Sequence, residues 1–232
     1  MMSNMLKFDT RESLENRLTE EIVALLKAGI EERGRATLVV SGGRTPAALF
    51  QSLSLQELDW SKVWITLADE RWVPDTHEDS NARSVKTHLL QNRAADAHFI
   101  PHFNDAEFPC SGQTKLEEVL NELPKEFDVV ILGMGEDGHT ASFFPNAPEL
   151  TAALNPYGFK ACMGVTPPVA PHLRMTLTLQ RLLHAKRIFI HLCGDSKLPV
   201  LEQAMGEGDT EEMPVRAVLR QSKTPVDIYW AP

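Results

Sequence analysis

The sequence predicts an α/β fold: one domain over residues 1–232, built on a mostly parallel sheet with helices on both faces. Two observations carry this reading. Short continuous apolar runs at 36–40, 63–68, 127–132 and 187–192 recur along the chain, as expected of strands buried on both sides. Segments with apolar residues at three- and four-residue spacing, the helical period, lie between several of them. A third observation bounds the class. The chain has 232 residues, 43% of them hydrophobic and 24% charged, enough to bury a sizeable core and unlike disordered, collagen or coiled-coil sequences.

The elements follow in order. Residues 9–34 read as a helix, with Leu14, Leu18, Ile22, Leu25, Leu26 and Ile30 on one face. Thr10, or Asp9 with Glu12, suits its start and Gly34 its end. Residues 36–40 form an apolar β-branched strand running into Ser41-Gly42-Gly43, after which Thr45 and Pro46 read as N-cap and first residue of a helix through 53. The strand at 63–68 ends in Asp69-Glu70-Arg71. A polar loop leads to a helix at 81–90, a strand at 98–103, a helix at 116–123 and the clearest buried strand, 127–132. Strands at 160–165, 187–192 and 226–230 and a helix at 198–205 complete the alternation. The loops at 74–80 and 145–156 are excursions within the domain.

Composition narrows the partners. Twenty-three basic against 32 acidic residues give a net charge of −9, which argues against a nucleic-acid or anionic-membrane surface. An anionic ligand must therefore be held by a local basic cluster. Three cysteines, Cys110, Cys162 and Cys193, are odd in number and never in a CxxC pair, which suits a reducing compartment and argues against a zinc knuckle. No apolar run approaches 18 residues and the start lacks an apolar signal region, so the expected location is cytoplasmic.

In a parallel α/β sheet, ligands bind outside the carboxyl ends of the strands. Three polar clusters fall there: Ser41-Gly42-Gly43-Arg44-Thr45, Asp69-Glu70-Arg71, and 133–139, Gly-Met-Gly-Glu-Asp-Gly-His. The first joins a strand to a helix N-terminus through two glycines, which lets backbone N–H groups approach an anion; an ordinary βα turn reads the same way. It is not a Walker P-loop, because the GK[ST] ending is missing. Gly133, Gly135 and Gly138 spell GxGxxG, but far from the first βα turn where a dinucleotide site belongs. The distinctive part is Asp137-Gly138-His139, an imidazole able to take a proton from water beside a carboxylate able to fix its tautomer. Arg71 suits a bidentate bond to phosphate or carboxylate, and Asp69 suits a hydroxyl, a base role, or a bond to Arg71 itself. Arg174 and Lys197 are basic residues near strand ends.

Absences narrow the reaction. There is no G-x-S-x-G elbow, and Ser142 sits in Ala-Ser-Phe, which argues against a serine hydrolase. His98 and His102, placed in one strand, would lie about 13 Å apart, too far for one metal. Water activated by a side chain is the simplest hydrolytic scheme.

As a set, Ser-Gly-Gly-Arg-Thr-Pro at 41–46, Ala-Asp-Glu-Arg-Trp-Val-Pro at 68–74 with Ser80-Asn81, and Gly-Met-Gly-Glu-Asp-Gly-His-Thr-Ala-Ser-Phe-Phe-Pro at 133–145 resemble the 6-phosphogluconolactonase family. The segments 174–178, 194–197 and 214–216 follow in that family's order. The resemblance spans essentially the whole chain and implies a Rossmann-like fold shared with glucosamine-6-phosphate deaminases. It implies hydrolysis of 6-phospho-D-glucono-1,5-lactone, the second step of the oxidative pentose phosphate pathway, with no metal or organic cofactor. His139 would be the base and Asp137 its orienter. Gly42, Gly43, Arg44, Thr45, Arg71, Arg174 and Lys197 would surround the phosphate or sugar hydroxyls, and Asp69 would bond ring hydroxyls. The departures are Phe143, where Leu is common, and Arg44, where Ser is also common. The deaminases carry a Glu five positions after the motif histidine; here that place is Phe144, which removes the acid their chemistry needs. A sugar-phosphate-sensing regulator would need an attached DNA-binding segment and a basic face. The expected partner is thus a small phosphorylated sugar lactone, with no nucleic acid or membrane, and the expected state is a monomer or weak homodimer.

Overall fold

The computed structural model of the protein describes residues 4–232. Its first half runs β1 (Asn4–Lys7), α1 (Arg11–Arg33), β2 (Ala36–Val40), α2 (Ala47–Ser54), β3 (Val63–Leu67), β4 (Asp69–Arg71), α3 (Asn81–His88), β5 (His98–Ile100), α4 (Pro109–Leu120) and β6 (Phe127–Leu132). The second half runs α5 (Leu150–Ala153), β7 (Cys162–Val165), β8 (Arg174–Leu177), α6 (Leu179–Leu182), β9 (Ala185–Cys193), α7 (Lys197–Met205), α8 (Val215–Leu219) and β10 (Val226–Ala231).

Local chemistry sets the first helix. The Thr10 hydroxyl accepts from Ser13 N–H at 3.1 Å, and Gly34 closes α1 in the left-handed region with its N–H on the Ile30 carbonyl. Leu14, Leu18, Ile22 and Leu26 are all buried on one stripe.

Seven strands form one sheet in the order β1-β10-β9-β6-β2-β3-β5, every neighbouring pair parallel. From β2 the chain builds outward through β3 and β5; from β6 it builds the other way through β9 and β10. The strand order therefore reverses between β2 and β6, and the loops leaving their carboxyl ends are 41–46 and 133–145. That is where an open α/β sheet presents a crevice to a ligand. Alternation along β2 serves both faces: Leu38 and Val40 pack with α1, α2 and α3, whereas Val39 packs with α4, α7 and α8.

A second, antiparallel sheet has the order β4-β8-β7. Its Met175, Leu177, Cys162 and Val165 share one apolar cluster with Leu132 and Ile190 of the large sheet. β4 is the surprise, because Asp69-Glu70-Arg71 is a poor strand by composition. It becomes one through pairing with β8, which sets Asp69 against Thr176 and Arg71 against Arg174.

Several sequence expectations are corrected. Thr45 does not cap α2: Pro46 already has helical backbone, no side chain bonds the first turn, and Ala47 N–H reaches the Arg44 carbonyl instead. The strand expected at 98–103 stops at Ile100, because Pro101 brings no N–H to the ladder. His102 consequently leaves the strand and is wholly buried, with Nε2 3.4 Å from Thr66 Oγ1. The helix expected at 116–123 starts earlier, at Pro109, and ends at Leu120. The strand expected at 160–165 shortens to β7 and joins the antiparallel sheet. Neither β1 and β8 nor the short helices α5, α6 and α8 was anticipated.

Candidate active site

Gly42, Gly43, Thr45, Asp69, Arg71, His139 and Lys197 line one cavity of about 240 Å³ at the β2/β6 switch point, together with Asn81. An adjoining groove of about 300 Å³ is lined by Asp69, Arg71, His139, Phe144, His172 and Arg174. The three clusters thus converge. Arg44 is exposed and lies outside both; it lines a neighbouring cleft with Gly43 and Arg71. Asp137 supports His139 from behind.

The His139 imidazole is 32% exposed, and its Nδ1 lies 2.5 Å from Asp137 Oδ1, which also accepts the His139 backbone N–H at 3.1 Å. Burial alone would raise the Asp137 carboxyl, but the hydrogen bond and charge of His139 outweigh it and hold the group below the usual carboxylate range. An ionised carboxylate only accepts, so in the neutral imidazole Nδ1 carries the proton and Nε2 the lone pair. Close packing with the backbone makes this possible. A Cβ on Gly135 would lie 2.1 Å from His139 Nδ1 and 2.6 Å from Asp137 Oδ1. The Phe144 ring packs on the imidazole at 4.6 Å between centroids, and Arg174 lies over its ring at 5.7 Å.

The first two clusters are fastened together through Asn81. Its Nδ2 donates to the Asp69 carbonyl at 2.9 Å, and a Cβ on Gly42 would sit 1.9 Å from Asn81 Oδ1. Only glycine admits that approach. The Asp69 carboxylate is buried and accepts from Ser142 Oγ at 2.6 Å, so the serine dismissed as a nucleophile orients a carboxylate.

Behind them lies Glu70, which sequence reasoning passed over. It is wholly buried and accepts the backbone N–H groups of Arg71 (2.8 Å), Asn81 (2.7 Å) and Ala82 (2.8 Å) and the Ser80 hydroxyl (3.2 Å). Burial pushes its carboxyl up to about 7, against the pull of those N–H donors. Glu70 therefore holds the start of α3, and with it Asn81, against β4. A triplet of charged residues gave no sign of which one turns inward.

Several cationic groups border the cavity and the adjoining groove. Arg71 and Arg174 are direct cross-strand partners, an unfavourable like-charge pair unless a counter-charge is supplied. Arg71 Nη1 donates to the Asp79 carbonyl at 2.6 Å. Arg174 is only 5% exposed, and its Nε and Nη1 have no hydrogen-bond partner. Burial first, then the Arg71 charge, lowers its affinity for its proton. A buried guanidinium with free donors is costly unless a ligand supplies acceptors. Lys197, the first residue of α7, pairs with Glu136 at 2.9 Å across the other end of the cavity. Arg216, by contrast, donates to the Gln203, Glu207 and Asp209 carbonyls and so shapes a loop.

An imidazole bonded to a carboxylate, in a cleft with several cationic donors at a parallel-sheet switch point, defines a site suited to proton transfer beside a bound anion. Comparison with known proteins makes the class specific. The family model for glucosamine-6-phosphate isomerases/6-phosphogluconolactonase matches residues 9–230, and the chain belongs to that family. It is 45% identical to the 6-phosphogluconolactonase of Pseudomonas aeruginosa over 93% of this chain and 89% of that one. With the enzyme of the same name from Rhizobium meliloti it shares 44% identity over the full length of both. A 6-phosphogluconolactonase crystal structure from Shewanella baltica superposes with a TM-score of 0.97 at 46% identity, covering 99% of this chain and 98% of that one.

Proposed function

We propose that this chain is a carboxylic ester hydrolase that converts 6-phospho-D-glucono-1,5-lactone into 6-phospho-D-gluconate, the second step of the oxidative pentose phosphate pathway. The observation that carries the mechanism is the His139–Asp137 pair opening onto the same cavity as the 42–45 turn. His139 Nε2 takes a proton from water as the water oxygen bonds to C1. The carbonyl electron pair moves onto oxygen, and Asp137 stabilises the imidazolium. When the tetrahedral centre collapses, the C1–ring-oxygen bond breaks and the imidazolium returns its proton to the departing oxygen. Water has been added and the base regenerated. A lactone is an activated electrophile, so a base and nearby cationic donors suffice; general-base help contributes roughly 10²–10⁴-fold.

Gly42, Gly43, Thr45, Arg71, Arg174 and Lys197 supply the donors for phosphate and sugar hydroxyls, and Asp69, fixed by Ser142, takes a ring hydroxyl. The binding energy of the remote phosphate places C1 at the imidazole. The free state of all three cysteines supports a reducing, cytoplasmic setting, and a net charge of −9 argues against nucleic acid as a partner. No helix among the described residues is long and apolar enough to cross a membrane.

The test generates the lactone in situ and follows its loss against spontaneous hydrolysis. His139→Ala is expected to lower kcat by at least about 10²-fold with little change in KM. A folded His139→Ala protein hydrolysing the lactone at the wild-type rate would overturn the assignment of the base.

A further inference from the structure

Outside the proton-transfer pair, one cluster of metal-ligating side chains stands at the rim of the cleft. His77 and Asp79 come from the loop between β4 and α3, and His172 comes from the loop before β8. One ligand atom from each lies within 4.8 Å of the others. Asp79 Oδ2 is 3.9 Å from His77 Nδ1 and 2.9 Å from His172 Nε2. The imidazole rings of His77 and His172 meet edge to face at 5.1 Å.

We propose that His77, Asp79 and His172 form a site for a borderline divalent cation of the zinc class, a rim staple tying the 74–80 loop to the loop before β8.

Donor type comes first. Two imidazoles and one carboxylate suit Zn²⁺, Co²⁺ or Ni²⁺, whereas Mg²⁺ and Ca²⁺ prefer all-oxygen shells. Spacing comes second. Bonds of about 2.0–2.1 Å in a tetrahedral shell separate ligand atoms by roughly 3.4 Å. The two spacings of 3.9 and 2.9 Å bracket that value, so small rotations of exposed side chains close the shell. Access comes third: the His77, Asp79 and His172 side chains are 40%, 48% and 27% exposed, leaving the remaining coordination positions to water.

Backbone geometry adds a further, independent sign. His172 has φ +68°, an uncommon conformation for a residue with a side chain, and from there its ring reaches the opposite loop. Two hydrogen bonds must give way: the Asp79 N–H, which donates to His77 Nδ1 at 3.1 Å, is at the surface and can turn to water, and His172 Nε2, which donates to the Asp79 carboxylate at 2.9 Å, must yield its proton to the cation. The guanidinium of Arg71, bonded to the Asp79 carbonyl, opposes a cation and keeps the affinity moderate. A bound cation would fix Asp79, and through its carbonyl would hold Arg71 at the mouth of the cleft. The site needs no role in lactone hydrolysis.

The experiment uses the full chain, freed of metal with a chelator, titrated with ZnCl₂ by calorimetry and with CoCl₂ by visible absorption, without substrate. One equivalent of Zn²⁺ should bind, with a cobalt spectrum free of thiolate charge transfer, and MgCl₂ should not compete. His77→Ala, at an exposed loop position, should weaken Zn²⁺ binding at least about 10-fold. His172→Asn, whose side chain tolerates left-handed backbone, should do the same. His139→Ala and Cys193→Ser should leave the affinity unchanged. No saturable binding to the wild-type chain, unchanged affinity in folded His77→Ala or His172→Asn, or a loss confined to His139→Ala or Cys193→Ser would each overturn the proposal. Because the readout is metal binding, a failure of the hydrolytic reading leaves this test intact.

Discussion

Replacing Gly135 by Ala tests the proposed mechanism without substituting either member of the His139–Asp137 pair. The added Cβ would stand 2.1 Å from His139 Nδ1 and 2.2 Å from its Cε1, where ordinary contact begins at about 3.4 Å, so the ring must retreat by more than 1 Å. A displacement of about 1 Å at a catalytic group can cost on the order of 10²-fold. The same methyl group meets Asp137 Oδ1 at 2.6 Å, so both partners of the 2.5 Å bond must shift. We expect kcat for Gly135→Ala to fall about 10²-fold and KM to change less than about 3-fold, since the phosphate donors lie on other loops. Lactone is made in situ by an NADP-dependent dehydrogenase acting on glucose 6-phosphate, and its disappearance is compared with the spontaneous rate. Adding Gly135→Ala to His139→Ala should cost nothing more, because the glycine acts only through the imidazole. A folded Gly135→Ala enzyme with wild-type kcat, or a full additional loss in the double variant, would refute the reasoning.

Other perturbations address the rest of the site. Arg71→Ala should raise KM for the phosphorylated lactone by roughly 10–100-fold, the worth of a charge-assisted hydrogen bond, while KM for plain gluconolactone stays nearly unchanged; steady-state kinetics on both substrates decides. Glu70→Gln turns an amide NH₂ toward backbone donors and should cost about 2–4 kcal/mol of stability, read from urea unfolding. Burial pushes the His102 imidazole down to about 3 and that of His191 to about 4. Unfolded, each binds a proton near pH 6.5, so each contributes stability above that pH which is lost as pH falls toward the folded value. At pH 5 the loss is about 2 kcal/mol per histidine. Glu70 runs the other way, since its folded value of about 7 exceeds the unfolded 4.5: its contribution is full below pH 4.5 and is lost as pH rises toward 7. Unfolding at pH 5 and pH 7.5 in wild type and His191→Asn should therefore show a weaker acid loss in the variant.

The strands that read clearly from the sequence are the ones whose environment is uniform. Phe127–Leu132 and Ala36–Val40 are buried throughout and apolar except for Asp128 and Thr37, which bond each other, because both faces of the large sheet are covered. The strands that did not read are those whose pairing, not composition, makes them strands. Asp69–Arg71 is polar, and it is extended because β8 supplies its ladder, a partner roughly a hundred residues away. Thr45 and Pro46 misplaced the start of α2 because the turn was closed by a backbone bond that capping rules do not anticipate. At the site, Asp137, His139 and the glycine turn were visible because their spacing alone brings them together. Glu70 and Ser142 were not, since each works by contact with a residue from another segment. Arg44 is exposed and lines the neighbouring cleft with Gly43 and Arg71, not the cavity itself.

That division explains how the two sheets share the work. The parallel sheet ends in the turn that holds His139, a strand terminus flanked by covered strands. The antiparallel sheet sets Arg71 beside Arg174, whose buried Nε and Nη1 have no hydrogen-bond partner, with Asp69 and Asp79 as nearby counter-charges. In the hydrolytic reading, a phosphate arriving there releases binding energy far from the reacting carbon, and the joint between the sheets, Asn81 on the Asp69 carbonyl and Ser142 on its carboxylate, delivers it as position. Arg71 and Arg174 should therefore be coupled. Removing one relieves the repulsion felt by the other, so an Arg71→Ala/Arg174→Ala double variant should lose less affinity for the phosphorylated lactone than the product of the single losses. Inhibition by 6-phosphogluconate in the four proteins measures the coupling, and strictly multiplicative losses would show that the two guanidiniums act independently.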